Sequence, residues 1–214
     1  YKWPNWLKYQ PVRSNYVLAY KILFLDLLFK DEKGRVLYMD PHNIIQKGTD
    51  PFDLFLTYSF FQKGSHYSLS TVAFPDFSDT KIESDSLRFW KNGYWLSFLQ
   101  GKQFLNTDLF LLDLKRYKES GYAELLRYVY QIMPSDPSSQ STLDQNIINF
   151  IQLQMPIKIL PNYYYGCDLW NDDKSLENIK IFNLCDNPFT NLSESDRANK
   201  YINGWSEIQK EAQE

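Results

Sequence analysis

The stretch Val36-Leu37-Tyr38-Met39-Asp40-Pro41-His42 sets an acid at the end of a short apolar run. In α/β sheets, the carboxyl ends of strands are where ligands bind. An acid there, with a second ligating side chain two positions on, can hold a divalent cation that neutralises a diphosphate leaving group. The second side chain is His42, and imidazole suits Mn²⁺ or Zn²⁺ better than Mg²⁺ or Ca²⁺. The plainer and commoner outcome for this spacing is that Asp40 caps a turn before Pro41.

Three further stretches carry polar chemistry. In Leu143-Asp144-Gln145-Asn146, Asp144 stands three residues after Ser141. That is a capping-box spacing, and an acid in a first helical turn also suits the helix dipole. The functional alternative is that Asp144 and Gln145 hold sugar hydroxyls beside that helix start. Asn183-Leu184-Cys185-Asp186-Asn187-Pro188 reads as a turn whose polar groups could complete a metal site. The aromatic run Arg88-Phe89-Trp90-Lys91-Asn92-Gly93-Tyr94-Trp95 could stack on a sugar ring, although core packing is the usual fate of such runs. His66 is a lone surface histidine. No nucleophile elbow, P-loop or dinucleotide fingerprint is present.

The composition narrows the classes. The chain has 214 residues with a formal charge of −3, which gives no pull toward nucleic acid. Its 16 Tyr, 15 Phe and 6 Trp suit a packed core and a surface that stacks on flat partners. No apolar run approaches the roughly 20 residues of a membrane helix. The abrupt start at Tyr1 reads as a piece of a longer chain. Cys167 and Cys185 are either one disulfide or two free thiols, and no Cys-His pattern suggests structural zinc. One glycosylation sequon, Asn191-Leu192-Ser193, matters if the chain is lumenal.

The elements that must position these residues alternate. Ser14-Asn15 caps a predicted helix reaching about Phe29, with Leu18, Ile22, Leu25 and Phe29 on one stripe. Residues 35–39 predict a buried strand, and 46–86 loops with short strands. Residues 108–114 predict a second strand, followed by a polar stretch to Gly121. Helical spacing covers 122–133 and 142–155, separated by a loop at 135–139 and stopped by Pro156. Strands are predicted at 157–160 and 179–182. Strand-helix alternation gives an α/β domain over 1–214.

These stretches, taken in order, resemble the catalytic domain of the UDP-glucose:glycoprotein glucosyltransferase family. The resemblance rests on Tyr1-Lys2-Trp3-Pro4, Tyr20-Lys21-Ile22-Leu23-Phe24-Leu25-Asp26, Arg88-Phe89-Trp90-Lys91 with Gly93-Tyr94-Trp95, and Asp113-Leu114. It continues through Asp136-Pro137, Leu143-Asp144-Gln145, Pro156-Ile157-Lys158 with Leu160-Pro161, Cys167 with Trp170 and Asp172-Asp173, and Leu184-Cys185 with Asn187-Pro188. It implies a GT-A fold, a nucleotide-diphospho-sugar transferase architecture with a mixed sheet flanked by helices. The N-terminal portion that holds the uracil would precede Tyr1. It implies retaining transfer of glucose from UDP-glucose to a glycan of a glycoprotein in the endoplasmic reticulum lumen, with Ca²⁺ or a similar cation, in a chain with preceding domains. A Cys167–Cys185 disulfide follows from that lumenal setting.

The departures are chemical. The family's Asp-x-Asp is Asp40-Pro41-His42, and a third acidic ligand is Asn183, so two of three carboxylates are replaced. Asp40, His42 and Asn183 are therefore the expected metal residues of an altered site for Ca²⁺ or Mn²⁺. Asp144 and Gln145 are the expected catalytic pair, and Lys180, Trp90 and Tyr94 the expected donor-binding residues. The pattern resembles the fungal killer-toxin-resistance branch needed for β-1,6-glucan in the cell wall. Two functions follow: a glucosyltransferase with a changed cation site, or a catalytically inactive domain that binds glycan or a partner.

Overall fold

The computed structural model describes residues 21, 23–31, 34–50, 66–74, 90–132 and 143–211. Among them the strands are β1 (Arg35–Met39), β2 (Asn43–Ile45), β3 (Leu69–Ala73), β4 (Leu105–Asp113), β5 (Ile157–Ile159), β6 (Tyr165–Gly166) and β7 (Ile181–Asn183). The α-helices are α1 (Leu25–Leu28), α2 (Gly93–Leu99), α3 (Leu114–Glu119), α4 (Tyr122–Ile132), α5 (Leu143–Ile151), α6 (Asp173–Leu176), α7 (Glu194–Tyr201) and α8 (Trp205–Glu211). The chain divides into two compact units. One comprises residues 1–38, 59–71 and 104–159, and the other 39–58, 72–103 and 160–214.

The first unit is built on a four-stranded sheet of order β1-β4-β3-β5, with β3 and β5 parallel in the register Leu69↔Ile157. β4 is interior to the sheet, and Leu105, Asn106, Thr107 and Leu109 through Leu112 are all buried. Burial on both faces explains why its sequence runs apolar rather than alternating. Asp113 ends β4 and caps α3, its Oδ1 accepting from the Arg116 backbone N–H at 2.9 Å. That satisfies one of the unpaired donors at the helix start.

α4 buries Ala123, Leu126, Val129 and Tyr130 and exposes Glu124, Tyr128 and Gln131, the one-sided pattern of a helix packed on a core. Arg127 on α4 grips Asp26 on α1 through two bonds of 2.9 and 3.1 Å. On α5, Asp144, Ile147, Ile148 and Ile151 form the buried stripe. Asn149 on the same helix acts as a strand partner for the start of β4. Its Oδ1 accepts from Leu105 N at 2.8 Å, and its Nδ2 donates to Leu105 O at 2.9 Å.

In the second unit, β2 pairs antiparallel with β7, and β6 pairs parallel with β7, giving a mixed sheet of order β2-β7-β6. Leu176, Ile179, Phe182, Ala198 and Ile202 form its core, with Ile44, Leu184, Tyr201 and Trp205 packed against it. Gly166 is needed in β6 because a Cβ there would meet Asn171 Oδ1 at 2.6 Å, and that oxygen holds the Cys167 N–H at 3.0 Å. Cys167 and Cys185 are joined in a disulfide, Cα to Cα 6.2 Å, as the lumenal resemblance implied. Closing a loop of this size removes about 3 kcal/mol of unfolded-chain entropy.

The predicted strand at 35–39 is found as β1, although half-buried rather than buried, and the helix at 122–133 is found as α4. β4 starts earlier than expected, at Leu105, and the polar stretch behind it is helix α3. The helix expected to reach Met155 ends at Ile151, where the Gln154 and Met155 N–H groups turn back onto its carbonyl. Pro156 disfavours helical backbone in the residue before it, so the chain leaves the helix early. The region read as loops with short strands contains β3, and the last strand runs from Ile181 to Asn183. Ser14-Asn15, Leu18, Ile22, Arg88-Phe89, the 135–139 loop and Ser141 lie outside the described residues.

Candidate functional site

In the second unit, the backbone N–H of Asn43 donates to Asp40 O at 3.0 Å and closes a turn over Asp40-Pro41-His42. β2 then begins, with Asn43 opposite Asn183 in register. The ladder continues one step further, Leu184 N donating to His42 O at 2.9 Å. The turn that bears Asp40 and His42 is thereby held against the end of β7 that bears Asn183. Asp40 is half-buried and His42 exposed, while Asn43 and Asn183 are buried. Asn183 donates through Nδ2 to Asn43 Oδ1 at 2.7 Å. Its own Oδ1 makes no hydrogen bond among the described residues and is the atom able to ligate. One carboxylate, one imidazole and one amide oxygen therefore share this end of the ladder. Such a set fits a borderline divalent ion better than a hard one.

In the first unit, Asp144 lies in the first turn of α5 and is 1% exposed. Lys21 Nζ sits 2.6 Å from its Oδ2, and Thr107 Oγ1 on β4 donates to the same oxygen at 2.5 Å. Lys21 also stands over the Tyr38 ring, 5.3 Å from its centroid. The second carboxylate oxygen, Oδ1, is buried with no partner among the described residues. A buried acceptor left unpaired costs about 1–3 kcal/mol, which an incoming hydroxyl would recover. Gln145 is half-buried beside it on α5.

Lys21 and Thr107 are the residues that sequence reasoning missed. A signal for Lys21 existed, because a lone ammonium inside Tyr20-Lys21-Ile22-Leu23-Phe24 is buried only when it is paired. Thr107 offered no signal, being one hydroxyl in a strand.

The other expected residues lie in the second unit. Trp90 is buried against Phe74, ring centroids 4.8 Å apart. Tyr94 is 58% exposed, stacked on Phe98, and partial desolvation raises its phenol pKa above the ordinary value. Lys180 is fixed by its backbone, which donates to Tyr163 O and accepts from Gln46 N, while its Nζ lies 5.4 Å from the Tyr164 ring centroid. His66, in the first unit, is exposed.

Cys167, Asp168 and Cys185 also come close enough to suggest a metal group. The disulfide occupies both sulfurs, and Arg197 and Asn187 occupy the carboxylate, so this cluster is a structural staple.

Comparison with known proteins gives the family and the fold. The family model described as Glucosyltransferase 24 matches residues 1–214. UDP-glucose:glycoprotein glucosyltransferase 2 of Homo sapiens is 35% identical over 214 residues, covering 99% of this chain and 13% of that protein. Killer toxin-resistance protein 5 of Saccharomyces cerevisiae is 31% identical over 176 residues, covering 81% of this chain and 12% of that protein. The chain thus spans only a small part of the length of these relatives. Among solved structures, mouse xyloside xylosyltransferase 1 in its apo form aligns with a TM-score of 0.56 at 14% identity, over 82% of this chain and 66% of that one. The WbbM bifunctional glycosyltransferase aligns with a TM-score of 0.54 at 14% identity, over 90% and 37%. At that identity they show the fold alone, which is the GT-A arrangement of mixed sheet and flanking helices. On the match over its whole length, the chain belongs to the Glucosyltransferase 24 family.

Proposed function

We propose that the protein bearing this chain transfers glucose from UDP-glucose, with retention, to a glycan or glycoprotein in the endoplasmic reticulum lumen. The purpose is glycoprotein quality control or β-1,6-glucan synthesis. Residues 1–214 would form the carboxyl-terminal part of one GT-A transferase domain, with further domains before it. The observation that carries the reading is the β2–β7 register, which holds the Asp40-Pro41-His42 turn against Asn183 in a chain matched end to end by the family.

Asp40, His42 and Asn183 are the residues that would hold the cation. When bound, the cation neutralises charge on the departing diphosphate. Asp144, clamped through Oδ2, offers Oδ1 to a sugar hydroxyl, and Gln145 follows it on the same turn. Lys180, Tyr94 and Trp90 are the proposed donor-contacting residues, Tyr94 being the ring open to solvent.

The three ligands carry one negative charge rather than the family's three. Charge count sets Ca²⁺ affinity, whereas imidazole favours transition metals. Turnover of UDP-glucose by the full-length protein, assayed across divalent cations, is therefore expected to prefer Mn²⁺ over Ca²⁺. The double variant His42→Asp/Asn183→Asp is expected to tighten Ca²⁺ binding by roughly tenfold or more, read by calorimetric titration. Equal response to both cations in the unaltered protein would count against the assigned ligands.

A second reading is a domain that binds glycan or a partner without transferring sugar. The observation in its favour is that the Asn183 amide is already held by Asn43 through Nδ2, a structural bond that needs no cation, while Asp40 is the sole carboxylate of the set. Absence of UDP-glucose turnover with every cation, in protein that still binds glycan, would select it.

A further inference from the structure

We propose that Asn191 carries an N-linked glycan. This inference rests on the lumenal location proposed above. The acceptor sequence is Asn191-Leu192-Ser193, followed by Glu194 rather than a proline. The structure adds what the sequence could not. Asn191, Leu192 and Ser193 are all exposed and lie in the irregular segment between β7 and α7. The backbone there is a set of local turns, Thr190 N donating to Asn187 O and Leu192 N to Thr190 Oγ1. The Asn191 amide makes no hydrogen bond among the described residues, so a sugar on its nitrogen displaces nothing.

The neighbours give the glycan a physical role. Phe189 and Leu192, on either side, are 61% and 48% exposed. Large apolar side chains left in water on one short loop favour association between copies, and a hydrated oligosaccharide between them would shield both. Ser193 already has work in the folded chain, since its Oγ accepts from Asp196 N at 3.1 Å and donates to Asp196 Oδ2 at 2.6 Å as the cap of α7. Attachment therefore belongs to the nascent chain, before α7 forms and while the Ser193 hydroxyl is available to the transferase. The Cys167–Cys185 disulfide anchors the chain six positions upstream and is itself a mark of an oxidising compartment.

The chemistry is a redox-neutral substitution. Asn191 Nδ2 attacks the anomeric carbon of an oligosaccharide linked to a lipid diphosphate, the co-reactant of the membrane oligosaccharyltransferase. The C–N bond forms as the bond from that carbon to the diphosphate oxygen breaks. The lipid diphosphate leaves with the electron pair, and one amide proton passes to the transferase's base.

The test uses the full-length protein purified from its own cell. Glycan is released enzymatically, which converts the carrying Asn to Asp, and peptides are mapped together with the state of Cys167 and Cys185. The expected result is that the Asn191 peptide reads as Asp in most molecules. The Asn191→Gln variant, which keeps the α7 cap, should lose one glycan step in electrophoretic mobility, and Ser193→Thr, which keeps both cap and acceptor, should retain it. Unmodified Asn191 with the disulfide formed would overturn this inference and leave the lumenal reading intact. Unmodified Asn191 with both cysteines reduced would overturn both.

Discussion

Replacing Lys21 by Met should destabilise the protein by about 3–5 kcal/mol. Lys21 Nζ is 2.6 Å from Asp144 Oδ2, and their side chains are 5% and 2% exposed. Removing the ammonium leaves a carboxylate in the interior with one hydroxyl donor, Thr107, and an already unpaired second oxygen. A charge buried without its partner is far costlier than a pair that was never made. The matching neutral change, Asp144→Asn added to Lys21→Met, should recover a large part of the lost stability. The coupling between the two sites should exceed about 1 kcal/mol in a double-mutant cycle followed by thermal unfolding. Sugar transfer should not return with the stability, because the carboxylate proposed to meet the sugar hydroxyl has gone. Additive effects of the two changes would show that the pair is not the support of Asp144.

The second large effect is expected at Arg197. It reaches from α7 to Asp168, with Nε to Oδ2 at 2.9 Å and a terminal guanidinium nitrogen on Oδ1, and the two side chains are 4% and 6% exposed. Asn187 donates to the same carboxylate at 3.1 Å. The pair abuts the Cys167–Cys185 disulfide, the other link between the segment after β6 and the segment after β7. Arg197→Ala should cost about 3–5 kcal/mol, and Arg197→Lys should recover only part of this, because an ammonium cannot make the planar two-bond contact. With the ion pair gone, the disulfide and the Asn187 bond to Asp168 remain between the two segments, so the disulfide should yield to lower concentrations of dithiothreitol. Thermal unfolding with a thiol-labelling titration reads both effects. Unchanged reducibility in Arg197→Ala would show that the pair and the disulfide act independently.

How far the sequence foretold this depended on whether the signal was local. β1 was legible because a short apolar run ends at Asp40-Pro41, and α4 because four apolar residues recur on one face. α5 was legible in place but not in length, since Pro156 acts on the residues before it. Short strands were expected within 46–86, but β3 could not be placed there because its polar Ser70 and Thr71 break the apolar pattern, and the fold buries both completely. α6, α7 and α8 are short and mostly polar, and their caps at Asp172 and Ser193 were the only local cues. The candidate site divides in the same way. Asp40, His42, Asn183 and the Asp144-Gln145 pair could be named only through the family resemblance, because by spacing alone Asp40 reads as a turn cap and Asp144 as a helix cap. Lys21 bonds across 123 positions, 21 to 144, and Asn43 across 140. Such partners follow from strand register and helix placement, which no local pattern encodes.

The central claim is that Asp40 anchors a cation for sugar transfer, and its most direct measurement is turnover of UDP-glucose by the full-length protein and its Asp40→Ala variant, with Mn²⁺ and with Ca²⁺. The side chain is half-buried at a turn closed by backbone, Asn43 N to Asp40 O, so its removal should leave the fold standing. It also takes away the only carboxylate of the three ligands. Measurable turnover is expected in the unaltered protein, stronger with Mn²⁺, and a loss of at least about a hundredfold in Asp40→Ala with either ion, comparable to removing a main stabiliser of developing charge. Turnover by Asp40→Ala equal to that of the unaltered protein would contradict it.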